Sequence, residues 1–263
     1  MSTQRMIDFC QQAGVTPELT ERVVHTIEES RSPILAVSGK IASGKDTIGH
    51  ALAEHLYGEN GYRHTYFASP LKGEVDAVLN RIRNHRTMNE DRLAERVSDH
   101  AHISYDQATH VVSLLVQDLK SSTPPSSAWV KTPGVRAVLQ FWGTEVRRGQ
   151  DPDYWTKAMI RELAPTLADG HPVLITDCRF PNELDMTHLF YGASVRLDVS
   201  EEVQKTRLLE RDGHDVVPNH PSETALDDCK DFTVRIENNG KYSVTDIVKC
   251  LAPAVRDPRF KAA

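Results

Sequence analysis

Long apolar runs are absent from this sequence: no stretch approaches the ~18 residues that span a bilayer, and residues 1–11 lack the basic-then-apolar layout of a secretion signal. The expectation is a soluble, cytoplasmic protein with no membrane partner. Cysteine is scarce too. Cys10, Cys178, Cys229 and Cys250 stand far apart and form no CxxC or Cys/His cluster, which removes a disulfide framework and a zinc site and leaves buried or inert thiols. The 12 histidines offer no metal set either, since even His100 and His102 lack accompanying ligands. With only 14 glycines and 14 prolines in 263 residues, a collagen-like, low-complexity or wholly disordered chain is excluded. Basic charge is not in excess: 31 Lys and Arg against 37 Asp and Glu leave a net charge of −6, which argues against polymeric nucleic acid as a partner. What remains is 39% hydrophobic and 26% charged, the mixture of a folded protein. Its length exceeds the roughly 100–200 residues of a usual domain, so one large domain with an insertion or an appendage is expected.

The periodicities give an order of elements. Thr16-Pro17-Glu18 opens a segment with Leu19, Val23 and Ile27 at helical spacing, and Ser32-Pro33 ends it, so residues 1–33 read as a helical appendage. Strands are expected at 34–38, 62–68, 172–176, 193–199 and 232–236. Helices are expected at 47–56, from Pro70 through Ile82, and at 134–148, 154–167, 182–191, 201–210 and 244–251. Residues 83–133, rich in charge and histidine, read as a helical insertion closed by a mobile Ser/Pro loop at 121–127. Residues 212–221 read as a loop and 253–263 as a tail, with no internal repeat. Short apolar strands alternating with helices predict an α/β protein with a parallel sheet covered on both faces.

Gly39-Lys40-Ile41-Ala42-Ser43-Gly44-Lys45 matches GxxxxGK, follows a predicted strand and opens a predicted helix. Glycines let backbone N–H groups turn around phosphate oxygens, the helix N-terminus adds positive potential, and Lys45 can bridge the terminal phosphates. The next residue is Asp46 where Ser or Thr is usual, with Thr47 one place later. A carboxylate beside a triphosphate is tolerable if Mg²⁺ lies between them; alternatively Asp46 is a first-turn acid favoured by the helix dipole. Both readings stay open.

An ordered series of segments carries a resemblance: Gly44-Lys45-Asp46-Thr47, Ser69-Pro70-Leu71-Lys72, Trp142-Gly143-Thr144-Glu145, Asp153-Tyr154-Trp155, Thr176-Asp177-Cys178-Arg179 and His220-Pro221-Ser222-Glu223. Over residues 34–251 the chain resembles the bacteriophage-type deoxynucleoside monophosphate kinases and, nearly as well, the animal-type phosphomevalonate kinases that share their fold. The resemblance implies a P-loop NTPase, NMP-kinase-like three-layer α/β fold over residues 34–252, with a parallel core sheet, the helical insertion and a lid near 206–221. It places Gly39, Lys40, Ser43, Gly44, Lys45, Asp46, Thr47 and Asn238 on the nucleotide. It places Asp46, Thr47 and Asp177 near Mg²⁺, and Lys72, Trp142, Arg147, Arg148 and Arg179 near the acceptor. Lid arginines Arg207 and Arg211 would neutralise the transferred phosphoryl group.

Each of these residues also has a plainer reading. Arg147 and Arg148 can be cations closing a helix, Arg207 and Arg211 a solvated helix face, Ser222-Glu223 helix-start chemistry, and Asn238-Asn239-Gly240 a turn. Trp142, Tyr154 and Trp155 can stack on a base, though core is favoured for two of the three. Ile41, Ala42 and Phe180 stand where phosphomevalonate kinases carry cations, which suits a less charged acceptor. The expected activity is transfer of the γ-phosphoryl group of MgATP to a deoxynucleoside monophosphate. A phosphomevalonate-type kinase and a non-catalytic nucleotide-binding regulator are the alternatives, and a homodimer is left open.

Overall fold

The computed structural model describes residues 3–29, 34–85, 87–121, 125–130, 132–213 and 221–256. The chain opens with helices α1 (Thr3–Gln12) and α2 (Pro17–Glu29), then strand β1 (Ile34–Gly39), helix α3 (Lys45–Tyr57) and strand β2 (Arg63–Thr65). Helices α4 (Ser69–Asn84), α5 (Glu90–Ala101), α6 (Tyr105–Leu119) and α7 (Pro133–Phe141) follow, the last running into a π-helical segment, Trp142–Arg148. After α8 (Tyr154–Ala168) come β3 (Val173–Cys178), α9 (Pro181–Leu189), β4 (Ala193–Asp198) and α10 (Glu201–Asp212). A short α11 (Pro221–Thr224), β5 (Val234–Glu237) and α12 (Val244–Arg256) complete the described chain. It divides into two compact units, Ala68–Trp155 and the chain on either side of that segment.

In the outer unit the strands form one five-stranded parallel sheet in the order β2-β3-β1-β4-β5. The central β1 is buried along its whole length, which is why its sequence is an unbroken apolar run rather than an alternation. Side chains of period two still divide it between two faces. Ile34 and Ala36 join Met6, Val23, Ile160 and Leu163 from α1, α2 and α8, whereas Leu35 and Val37 join Ile48, Leu52, Ile247 and Leu251 from α3 and α12. The expected α/β arrangement, a parallel sheet with helices on both faces, is therefore found. The chain leaves to one side after β1 and to the other after β3, so the carboxyl ends of these paired strands border the crevice in which such sheets hold ligands.

In the helical unit, α4 buries Val75, Val78, Leu79 and Ile82, α5 buries Leu93, Ala94 and Val97, and α6 buries Ala108, Val111 and Leu115. These spacings of three and four make one apolar stripe per helix. Local caps start the helices: Asn89 accepts the Arg92 N–H at 3.0 Å, and Ser104 and Gln107 close a capping box. The unit is wider than the expected insertion at 83–133, because α4 spends its apolar stripe on α5, α6 and α7.

Other differences are local. The expected strand at 62–68 is confined to Arg63–Thr65, and the Phe67 N–H donates instead to Asp177 Oδ1 at 2.6 Å. The helix expected at 134–148 changes to π geometry at Trp142, with the Gly149 N–H reaching the Thr144 carbonyl at 2.9 Å. The last strand is Val234–Glu237 rather than 232–236, and α12 extends through 253–256 of the expected tail. Residues 1–2 and 30–33 of the appendage, 122–124 of the expected loop, 214–220 of the expected lid and 257–263 of the tail lie outside the described residues. No helix among the described residues is long and apolar enough to cross a membrane.

Candidate active site

Residues 40–44 join β1 to α3 at the carboxyl edge of the sheet. Ala42 and Gly44 are left-handed, with φ of 62° and 83°, a backbone pattern from which anion cradles are built. For Ala42, which carries a Cβ, that conformation costs roughly 1–2 kcal/mol. Three side chains hold it there. Gln204 Nε2 donates to the Ile41 carbonyl at 2.8 Å, Arg207 Nη1 to the Ala42 carbonyl at 3.0 Å and Asn238 Nδ2 to the Ser43 carbonyl at 2.8 Å. A trans peptide points its N–H opposite its carbonyl, so these braces turn the Ala42 and Gly44 N–H groups to the other side of the loop. The Ser43 N–H closes on the Lys40 carbonyl at 3.1 Å.

Space favours glycine at Gly39, and the left-handed backbone favours it at Gly44. A Cβ on Gly39 would stand 2.3 Å from Ser43 Oγ and 2.9 Å from the Leu197 carbonyl oxygen, and one on Gly44 would stand 2.7 Å from Asn238 Nδ2. Ser43 Oγ itself is buried with no hydrogen-bond partner among the described residues.

Around the loop, charges of both signs converge. Burial, then the Arg179 charge, push the Lys45 pKa down, while Asp46, Glu223 and Asp177 oppose the shift. Asp46 lies in the first turn of α3 and its Oδ1 accepts the Thr176 hydroxyl at 2.6 Å. Asp177 lies near the carboxyl end of β3. Lys40, expected on the phosphates, pairs instead with Asp227 at 2.8 Å, and Asp227 in turn pairs with the buried Arg196 at 2.6 Å. Arg179 is held from both sides: its N–H donates to Glu183 Oε2 at 2.7 Å, and its Nη1 reaches the Ser222 carbonyl at 3.1 Å and the Glu223 carboxylate.

Among the described residues no group of three or more His, Cys, Asp or Glu could hold a metal ion by itself. Mg²⁺ does not require one, because it keeps waters and binds through one or two carboxylates together with substrate phosphates. Asp46, Thr47 and Asp177 supply hard oxygen donors, and the two carboxylates act on the same Lys45. The donor chemistry fits.

A cavity of about 450 Å³ opens beside the loop. Lys45, Arg207 and Arg211 line it together with Asp46 and Thr47, and Ile48, Val244, Ile247 and the half-exposed Tyr242 ring line it with apolar surface. Asn238 and Gly240 contribute as well. The site residues expected from the nucleotide side are thus gathered in one unit. The brace Gln204 and the lining residues Tyr242 and Val244 were not foreseen, and only the position of Tyr242 just after the Asn238-Asn239-Gly240 turn could have drawn attention to it; Glu223 was singled out in the His220-Pro221-Ser222-Glu223 segment, without its partners.

Residues expected near the acceptor are divided. Lys72, Trp142, Arg147 and Arg148 belong to the helical unit, where Glu74 is the organising group. Its carboxylate accepts Trp142 Nε1 at 2.9 Å, Arg147 Nε at 2.8 Å and the Tyr154 hydroxyl at 2.5 Å. Trp142 and Trp155 are buried, and Trp155 Nε1 donates to the Gly143 carbonyl at 3.0 Å. As placed, Trp142 presents no ring face for stacking. Arg147 Nη2 reaches the Ala101 carbonyl at 3.3 Å and Arg148 Nη1 the Pro152 carbonyl at 3.4 Å. Lys72 Nζ stands 3.4 Å above the ring of the half-exposed Trp129. Nothing local in the sequence marked Glu74 or Trp129 for these roles.

No protein-family model matches the chain, and no curated protein matches it either.

Proposed function

We propose that the protein is an ATP-dependent phosphotransferase of P-loop, three-layer type, acting on a deoxynucleoside monophosphate. One observation carries the reading: a cavity lined at once by the 42–48 segment, by three cations and by an apolar surface with a tyrosine ring, which is the chemistry of a nucleoside triphosphate. The phosphates belong on the loop N–H groups, Lys45, Arg207 and Arg211, and the base against Tyr242, Val244 and Ile247. Mg²⁺ would be held by Asp46, Thr47 or Asp177 with the nucleotide, and when bound it would neutralise phosphate charge.

Phosphoryl transfer passes through a loose transition state with charge spread over equatorial oxygens, so alignment and charge neutralisation supply most of the rate. Here Lys45 supplies a cation at the loop. Lys45 is part-buried, and its partial removal from water makes the charge interactions there stronger. The braces from Gln204, Arg207 and Asn238 preorganise the loop before substrate arrives. An acceptor phosphate is already an anion and needs no strong general base. Its assignment as a nucleotide rests on the resemblance, and Arg179, whose charge reaches Lys45, is the cation near the loop that suits its phosphate. ADP release over a panel of dTMP, dGMP, dCMP, a modified deoxypyrimidine monophosphate and phosphomevalonate tests the reading. Turnover with a deoxynucleotide supports it, turnover with phosphomevalonate alone reassigns the acceptor, and tight ATP binding without turnover points to a regulator.

A further inference from the structure

The Glu223 carboxylate occupies a place that suits a phosphate oxygen. Its Oε2 accepts the Ile41 N–H of the loop at 2.8 Å, and its Oε1 pairs with Arg179 Nη1. These are the two donor types that bind phosphate elsewhere in proteins, a loop amide and a guanidinium fork. The Glu223 side chain is only 9% exposed, and its charge is felt by Lys45. We propose that Glu223 is a built-in anion that competes with substrate for a phosphate subsite formed by the Ile41 N–H and Arg179, and that a bound phosphoryl oxygen takes both donors and expels the carboxylate. The proposal rests on the reading that residues 39–45 hold phosphates.

Physical chemistry favours exchange over coexistence. Without a counterion Arg179 and Lys45 repel each other, as the depression of Lys45 by Arg179 records, so the empty site gains from an internal carboxylate. Once a multiply charged phosphate arrives, that carboxylate becomes a like charge in a poorly solvated place, where repulsion is strong. Release demands little of the fold. Glu223 sits in the four-residue helix α11, Thr224 and the following Ala225 are exposed, and among the described residues the nearest buried one is Leu226. A carboxylate on three rotatable bonds can therefore leave without unpacking the core.

A permanent structural counterion makes the opposite prediction, which the substitution Glu223→Gln separates. The amide keeps the size and an acceptor for the Ile41 N–H but removes the charge. Calorimetric titration of full-length protein with MgATP, MgADP, inorganic pyrophosphate and dTMP, each alone, is the measurement. Glu223→Gln is expected to bind at least one of them about tenfold tighter than the wild type, a change of about 1.4 kcal/mol. Glu223→Asp, which keeps the charge on a shorter arm, is expected to give a smaller gain and serves if the Gln variant fails to fold. A gain for MgATP but not MgADP identifies the donor's terminal phosphate as the displacing group, and a gain for dTMP alone identifies the acceptor phosphate. If the wild type binds these anions and neither variant binds any of them tighter, Glu223 is a structural counterion and the proposal fails alone. If no form binds any of them, the phosphate-loop reading falls and the proposal with it.

Discussion

Glu74→Ala tests whether Arg147 and Trp142 serve the fold of the helical unit or stand free for a ligand. The carboxylate accepts from Trp142 Nε1, Arg147 Nε and the Tyr154 hydroxyl, so its removal takes an acceptor from three donors. An unpaired buried indole N–H costs about 1–3 kcal/mol. The Arg147 and Glu74 side chains keep 13% and 27% of their exposure, so the ion pair falls somewhat below the roughly 3–5 kcal/mol of a fully buried pair broken on one side. Together these give an expected loss of about 3–4 kcal/mol for Ala and about 1–2 kcal/mol for Gln, which retains one acceptor oxygen. Urea unfolding followed by tryptophan fluorescence is a suitable assay, because Trp129, Trp142 and Trp155 are the chain's 3 tryptophans and all lie in Ala68–Trp155. A double-mutant cycle with Tyr154→Phe should show coupling of roughly 0.5–3 kcal/mol. A loss below about 1 kcal/mol for Glu74→Ala, or additive effects in the cycle, would refute the reasoning and return Arg147 to the acceptor as a free cation.

Three further outcomes are expected. Lys45→Met should lower turnover by orders of magnitude with the fold intact, since the ammonium belongs on phosphates; unchanged ADP release would remove the loop assignment. Asp46→Ala should raise the Mg²⁺ concentration for half-maximal activity, and Thr176→Val, which strips the hydroxyl donated to Asp46 at 2.6 Å, should do so more weakly. A melting shift with an unaltered Mg²⁺ titration would leave Asp46 as a first-turn acid. The His64 pKa lies below its ordinary value of 6.5, first through burial and then through His50, with Asp46 opposing. The unfolded chain therefore binds the proton more readily, and stability should fall as pH drops below about 6.5 and level off once the folded-state pKa is passed. His64→Gln should flatten that part of a stability-against-pH curve, and an unchanged curve would exclude His64 as its source.

Much of the sheet unit was legible because its signals are local. The apolar run at β1, the glycine loop and the start of α3 lie within a few turns of chain, and their local preferences agree, Ala42 with its left-handed backbone excepted. Asp177 could be placed near a strand's carboxyl end from the run before it. The helices of the second unit likewise announce themselves through stripes and caps such as Ser104 with Gln107. The limits fell where the deciding partner is remote. A strand that ends because a side chain takes its N–H, as Asp177 does for Phe67, leaves no mark in the local pattern.

The sequence by itself determined the α/β order, the glycine loop between β1 and α3 and the cations Lys45, Arg207 and Arg211. Tertiary structure alone decided how that loop is held and what faces it. The braces on Ile41, Ala42 and Ser43 come from Gln204, Arg207 and Asn238, and the anion on the Ile41 N–H comes from Glu223, all brought in from beyond β4. Likewise the sequence favours core for two of Trp142, Tyr154 and Trp155 and leaves Arg147 as a ligand contact or a helix-closing cation, and only the position of Glu74 on α4 shows what gathers Trp142, Arg147 and Tyr154. Periodicity reports which face of an element is buried, but a hydrogen-bond partner is selected by distance and direction in space, and a residue far along the chain carries no local trace of the group it will meet.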